Sequence, residues 1–230
     1  MKKDLLLLHG ALGSADQFTG LKTLLENDFN IITFNFEGHG GRPANRDYSI
    51  ALFTENVLQI LEEHHLKKID IFGYSMGGYV ALDLALKCPG KVNRIMTLGT
   101  KFHWTPEAAA KETRMLNPEK MEEKIPTFTA ALREMHQPLD WKEVVTNTAE
   151  MMTGLGNGNR LETDDLTYIK HPVLIGLGSE DTMVTLEESE RTAAYLPNGR
   201  LMEIEGFQHP LEKVDKAVLA EHIRTFFHTD

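Results

Sequence analysis

Gly73-Tyr74-Ser75-Met76-Gly77-Gly78 stands between an apolar run at 69–72 and a long apolar stretch at 76–87, which stops at Cys88-Pro89-Gly90. A short Ile/Phe run ending in glycine reads as a strand, and the stretch after it as a helix. The hexapeptide is therefore G-x-S-x-G at a strand-to-helix turn. Such a turn forces Ser75 into a strained backbone conformation and lifts its hydroxyl out of the sheet. Residues two before and two after would collide with neighbouring elements if they carried a Cβ, hence Gly73 and Gly77. The following helix directs free N–H groups and its positive end at the same point. A glycine-rich turn with a helix-capping serine would give the same six letters. The flanking strand and helix favour Ser75 as a nucleophile.

Outward from this turn, further short apolar runs at 5–8, 31–36, 95–98, 173–177 and 201–204 alternate with helical stretches at 15–26, 49–65, 186–195 and 213–227. Alternation of this kind predicts βαβ units and a mostly parallel, six-stranded sheet flanked by helices. Near-continuous Ile/Leu/Val runs fit strands covered on both faces. The pattern breaks over 102–168, which contains no strand signal. It reads as helices at 106–116, 118–135 (interrupted by Pro126) and 141–155, followed by a glycine-rich turn at 154–159. The expected organisation is a core of 1–101 and 169–230 with a helical cap, or lid, at 102–168.

A serine hydroxyl needs a positioned base. Of ten histidines, His209 is selected by place: it follows the last strand, in Glu205-Gly206-Phe207-Gln208-His209-Pro210, at the sheet edge where the Ser75 turn also emerges. Asp181, in Gly178-Ser179-Glu180-Asp181, follows another strand end and is the candidate partner for that imidazole, with Glu180 as runner-up. Such a base works only unprotonated, so hydrolysis should fall as His209 takes up a proton. Negative charge on a reacting carbonyl oxygen needs fixed N–H donors. The backbone N–H of Met76 is one candidate. The loop His9-Gly10-Ala11-Leu12-Gly13 supplies the other, from Ala11 or else Leu12, with His9 bracing the loop.

These residues, together with the turn Asn35-Phe36-Glu37-Gly38-His39-Gly40, resemble the α/β-hydrolase superfamily over nearly the whole chain. The resemblance implies an eight-stranded, mostly parallel sheet with a helical lid after the sixth strand. Here the chain starts at what would be the third strand, so the leading antiparallel hairpin is expected to be absent. Asn35 stands where relatives commonly carry Asp. Serine at the nucleophile position, not Asp or Cys, argues against the dehalogenase and dienelactone-hydrolase branches. The implied activity is cleavage of a carboxylic ester or thioester of a small to medium substrate through an acyl-enzyme on Ser75. Relatives use the same machinery as carbon–carbon bond hydrolases or lyases. Others with this fold are non-catalytic receptors. A fold alone does not choose among these.

Composition is ordinary for a globular protein: 230 residues, 41% hydrophobic and 25% charged. A net charge of −10 disfavours nucleic-acid partners. The lone Cys88 excludes an internal disulfide and fits a reducing compartment. The leucine run at 5–8 is too short for a signal peptide, and no stretch approaches a membrane span. A cytoplasmic protein is expected, acting on a small molecule without metal or cofactor. The first loop has neither a G-x-G-x-x-G fingerprint nor a phosphate-loop lysine. Leu12, Tyr74, Trp104 and Met151 are candidate substrate contacts. Lys101 and His103 are an alternative pair for an anionic group.

Overall fold

Four consecutive leucines can all be buried only in a strand covered on both faces. In a computed structural model, which describes residues 2–228, Leu5 and Leu7 face one side of the sheet and Leu6 and Leu8 the other. This is the two-residue period of a strand. In chain order the elements are β1 (Lys3–Leu8), α1 (Thr19–Leu25), β2 (Phe29–Thr33), α2 (Ile50–Glu63), β3 (Ile69–Tyr74), α3 (Met76–Lys87) and β4 (Val92–Leu98). Five helices follow: α4 (Pro106–Thr113), α5 (Pro118–Lys124), α6 (Pro126–His136), α7 (Trp141–Gly156) and α8 (Thr163–Leu166). The chain closes with β5 (Val173–Gly178), α9 (Leu186–Tyr195), β6 (Gly199–Ile204) and α10 (Lys216–His228).

The six strands pair in parallel throughout, in the order β2-β1-β3-β4-β5-β6. From β1 the chain moves outward to β2, then returns to place β3 on the other side of β1. The loops after β1 and β3 therefore diverge and leave a crevice at the carboxyl edge of the sheet. One face is covered by α1 and α10, whose Leu21, Leu25, Leu219, Ile223 and Phe227 pack on Leu5, Leu7 and Phe72. The other is covered by α2, α3 and α9, with Leu52, Phe53, Val57, Val80 and Leu84 against Leu6, Leu8, Ile71 and Ile95.

Several boundaries differ from the sequence reading for local reasons. Strand β2 ends at Thr33 and not at position 36, because Phe36 leaves the sheet to pack its ring against His9 at 4.8 Å and Phe53 at 4.9 Å. The stretch 15–26 opens as a 3-10 turn, Ala15–Phe18, capped by Ser14, whose hydroxyl accepts the Asp16 N–H. Helix α10 starts at Lys216, later than position 213, because the Asp215 carboxylate accepts the N–H groups of Ala217 and Val218. Helix α8 has no counterpart in the sequence reading. It is a single turn held by reciprocal capping between Glu162 and Asp165.

Helices α4 to α8 fill the interval between β4 and β5 with no strand. Pro126 splits the stretch 118–135 into α5 and α6, as a ring without an N–H requires. This insertion has a small apolar nucleus of its own, Met121, Leu132, Trp141 and Val145. Val144, Met151 and Leu155 of α7 join the main core. No helix among the described residues is long and apolar enough to cross a membrane.

Candidate active site

Ser75 has φ 50° and ψ −117°, in a region that residues with side chains rarely occupy. Three hydrogen bonds hold it there. Its N–H donates to the Leu98 carbonyl at 2.8 Å, and its carbonyl accepts from Thr100 Oγ1 at 2.9 Å and from the Gly78 N–H at 3.0 Å. The flanking glycines are steric requirements. A Cβ on Gly73 would run into the Gly78 nitrogen, and one on Gly77 into the Leu8 carbonyl oxygen. Backbone atoms at those places cannot step aside as a side chain could.

The Ser75 hydroxyl lies 3.3 Å from His209 Nε2, and His209 Nδ1 lies 2.8 Å from Asp181 Oδ2. An ionised carboxylate only accepts, so Nδ1 carries the proton and Nε2 offers its lone pair to Ser75. The other Asp181 oxygen accepts the N–H groups of Met183 at 2.8 Å and Val184 at 2.9 Å. Burial alone would raise this carboxyl. The hydrogen bond and charge of His209 and the two amides outweigh it and hold Asp181 below the usual carboxylate range. Glu180 is turned away, bonded to Gln208 at 3.3 Å on the surface. The Tyr74 hydroxyl donates to the His209 carbonyl at 2.9 Å and so braces the His209 loop from beneath.

Across the crevice, the turn after β1 is closed by the Gly13 N–H on the Gly10 carbonyl at 3.1 Å. The Ala11 N–H makes no intramolecular hydrogen bond among the described residues. Met76 is the first residue of α3, so its N–H has no carbonyl one turn back. Two free donors thus flank Ser75 at the switch point. His9 is buried behind them and neutral. Its Nε2 accepts the Phe36 N–H at 3.2 Å, which leaves Nδ1 to donate to the Gly10 carbonyl at 2.8 Å.

His9 belongs to a buried cluster with His39 and His136, the rings of His9 and His39 lying 5.2 Å apart and those of His39 and His136 5.9 Å apart. Burial lowers all three, His9 to about 4 and His39 well below its ordinary value. In the unfolded chain a histidine titrates near 6.5. Between 6.5 and about 4 the unfolded chain therefore binds a proton that folded His9 refuses, so stability falls as pH drops through that window. For His9 alone the loss is on the order of 3 kcal/mol by pH 4, and the other two add to it. Thermal unfolding should show the melting temperature dropping steeply from pH 7 to pH 4.5. A flat profile would refute a neutral cluster.

A cavity of about 50 Å³ opens beside Ser75 and His209, walled by Ile50, Met76, Tyr79, Trp104, Met151 and Leu155. Beyond Lys101, Trp104 and Glu112 lies a wider polar cleft of about 490 Å³. Among the residues singled out from sequence, Ala11, Trp104 and Met151 reach the cavity, whereas Leu12 and Tyr74 lie outside its lining. Tyr74 follows Phe72 by two along β3 and packs on that same face. The Leu12 side chain packs into the nucleus of the insertion. Lys101 does not form a free anion site with His103. Its ammonium is 3.5 Å from both Glu112 and Glu188. Ile50, Tyr79 and Val184 line the cavity without having been singled out. Only Tyr79 carried a signal, one helical turn beyond Met76. No cluster of three or more metal-ligating side chains suited to an ion occurs among the described residues.

Comparison with known proteins agrees with this architecture. The chain is 24% identical to the putative carbamate hydrolase RutD of Pseudomonas syringae pv. syringae, over 98% of this chain and 93% of the relative. It is 35% identical to the pimeloyl-(acyl-carrier protein) methyl ester esterase of Aromatoleum aromaticum, over 47% of this chain and 42% of that one. Among solved structures, 2-hydroxy-6-oxo-6-phenylhexa-2,4-dienoate hydrolase from a Rhodococcus superposes with a TM-score of 0.81 at 18% identity, covering 99% of this chain and 91% of the other. A family model described as the alpha/beta hydrolase fold matches residues 4–124, a span that includes the β1 loop and the Ser75 turn. By that match the protein belongs to the α/β-hydrolase fold family.

Proposed function

We propose that the protein is a serine hydrolase that cleaves a carboxylic ester or thioester with a short, apolar acyl group. The observation that carries this reading is the line of hydrogen bonds from Ser75 through His209 to Asp181. In the first half-reaction His209 Nε2 takes the Ser75 proton as Oγ bonds to the acyl carbon. The carbonyl oxygen becomes negative and is held by the N–H groups of Ala11 and Met76, a contribution of about 100- to 1000-fold in rate per donor. The tetrahedral adduct collapses, the bond to the leaving oxygen or sulfur breaks, and the leaving group receives the proton from His209. In the second half-reaction water attacks the acyl-enzyme while His209 takes its proton. Collapse then returns that proton to Ser75 and releases the acid. Asp181 stays ionised throughout and stabilises the imidazolium.

Two relatives support cleavage at an acyl carbon, since a carbamate and a methyl ester are the bonds named for them. The substrate class rests on the cavity. About 50 Å³ is room for only a few waters, and its walls are mainly methionine, isoleucine, leucine, valine and aromatic side chains, with Lys101 and Glu112 also lining it. The helices between β4 and β5 supply Met151 and Leu155, so they serve as the cap that shapes the acyl site. A fluorophosphonate probe should label wild type and leave Ser75→Ala unlabelled. No labelling of the folded wild type would remove the hydrolase reading. With p-nitrophenyl esters, acetate and butyrate should turn over faster than octanoate. The reverse order would overturn the short-acyl assignment, and matching acyl-coenzyme A substrates separate thioester from ester activity.

A further inference from the structure

Leu12 is a bulky residue at φ 58°, a left-handed conformation that favours glycine. Its surroundings come from far away in the chain. The carbonyl of Leu12 accepts from His136 Nε2 at 3.1 Å, across 124 positions of sequence. Its side chain packs on the nucleus formed by Met121, Leu132, Trp141 and Val145. The backbone of this one residue is thus held by the helices between β4 and β5, and its side chain bridges their nucleus and the main core.

His136 holds a second loop at the same time. Its Nδ1 accepts the Gly40 N–H at 3.0 Å, so the ring proton sits on Nε2 and is donated to Leu12. The imidazole is fully buried and neutral, and both of its nitrogens are used. The chain just beyond it presses on the same turn, for a Cβ on Gly41 would lie 2.6 Å from the Gln137 carbonyl oxygen. Leu12 directly follows Ala11, which lines the cavity beside Ser75 and whose N–H makes no intramolecular hydrogen bond among the described residues. The turn that aims this donor is therefore closed on one side by its own Gly13–Gly10 bond and on the other by His136.

We propose that His136 is a positioning residue for the oxyanion site: it fixes Leu12, and through Leu12 the direction of the Ala11 N–H, so that this donor is set only while α6 is seated. The proposal rests on the acyl-transfer reading above. It assigns a chemical consequence to a helix that does not touch substrate. Loosening the turn should weaken transition-state stabilisation while leaving acyl-group binding nearly intact, because His136 does not line the cavity.

The test compares His136→Ala and His136→Gln with wild type, using p-nitrophenyl acetate kinetics and residue-resolved amide exchange. For His136→Ala, kcat should fall about tenfold or more, short of the 100- to 1000-fold of losing a donor outright, with KM little changed. The Gly13 amide should exchange faster while amides of β3 and β4 keep wild-type protection. A glutamine amide can still donate to the Leu12 carbonyl, so His136→Gln should recover most of the kcat and the Gly13 protection. A His136→Ala protein with wild-type kcat and wild-type Gly13 exchange overturns the assignment. So does a glutamine variant that folds normally yet behaves as the alanine one. If wild type itself shows no fluorophosphonate labelling at Ser75, the nucleophile reading fails and this role with it. Normal labelling with an indifferent His136→Ala removes this role alone.

Discussion

Ester hydrolysis by Ser75→Ala should fall by about 10⁶-fold in kcat, the scale seen when a serine nucleophile is removed from such a relay. What remains would come from binding and from the two N–H donors. The loss should be purely chemical. The Ser75 side chain caps no helix, and its main-chain bonds to Leu98, Thr100 and Gly78 are unaffected by loss of Oγ. Alanine carries the same Cβ at φ 50° and adds no strain. Melting temperature should stay close to wild type while turnover vanishes. A folded variant retaining a substantial share of wild-type kcat would show that Ser75 is not the attacking group.

The second large effect concerns Asp181. Asp181→Asn should lower kcat by about 10⁴-fold, and the hydrogen bonds around the carboxylate say why. One of its oxygens accepts two N–H groups, from Met183 and Val184. An asparagine in its place must keep its oxygen there, which turns its amide NH₂ toward His209 Nδ1. That nitrogen must then accept, the ring proton moves to Nε2, and the lone pair that should take the Ser75 proton is gone. Shape is preserved and tautomer is inverted. Glu180→Gln is the matched control, because the Glu180 carboxylate bonds to Gln208 at the surface and not to His209. Comparable damage from both variants, or greater damage from Glu180→Gln, would move the acid away from Asp181.

The parts of the fold that were legible in sequence are those where backbone geometry constrains residue type. Leu5 to Leu8 announce a strand buried on both sides, and Pro126 announces the break between α5 and α6. Gly73 and Gly77 are needed by close backbone contacts around Ser75. His209 and Asp181 were distinguished from other histidines and acids by standing just past strand ends, and parallel strands bring such ends to one edge. Cavity walls leave no such trace. Ile50, Tyr79 and Val184 face a cavity, yet an apolar side chain facing a cavity reads like one facing the core. Leu12 and Tyr74 drew attention by adjacency to the motif. Strand alternation sends Tyr74 to the opposite face, and Leu12 turns outward into helices more than a hundred positions away. Contacts of that separation have no local signature.

The chain has two tryptophans, and both lie in the segment between β4 and β5: Trp104 on the cavity wall and Trp141 in the small nucleus that receives Leu12. Trp141 is flanked by the Arg133 guanidinium at 5.8 Å and the Lys142 ammonium at 5.7 Å from its ring. The indole emission of this protein therefore originates outside the sheet. Excited at the indole band, the molecule carries its own optical reporter on helix seating, without any attached dye.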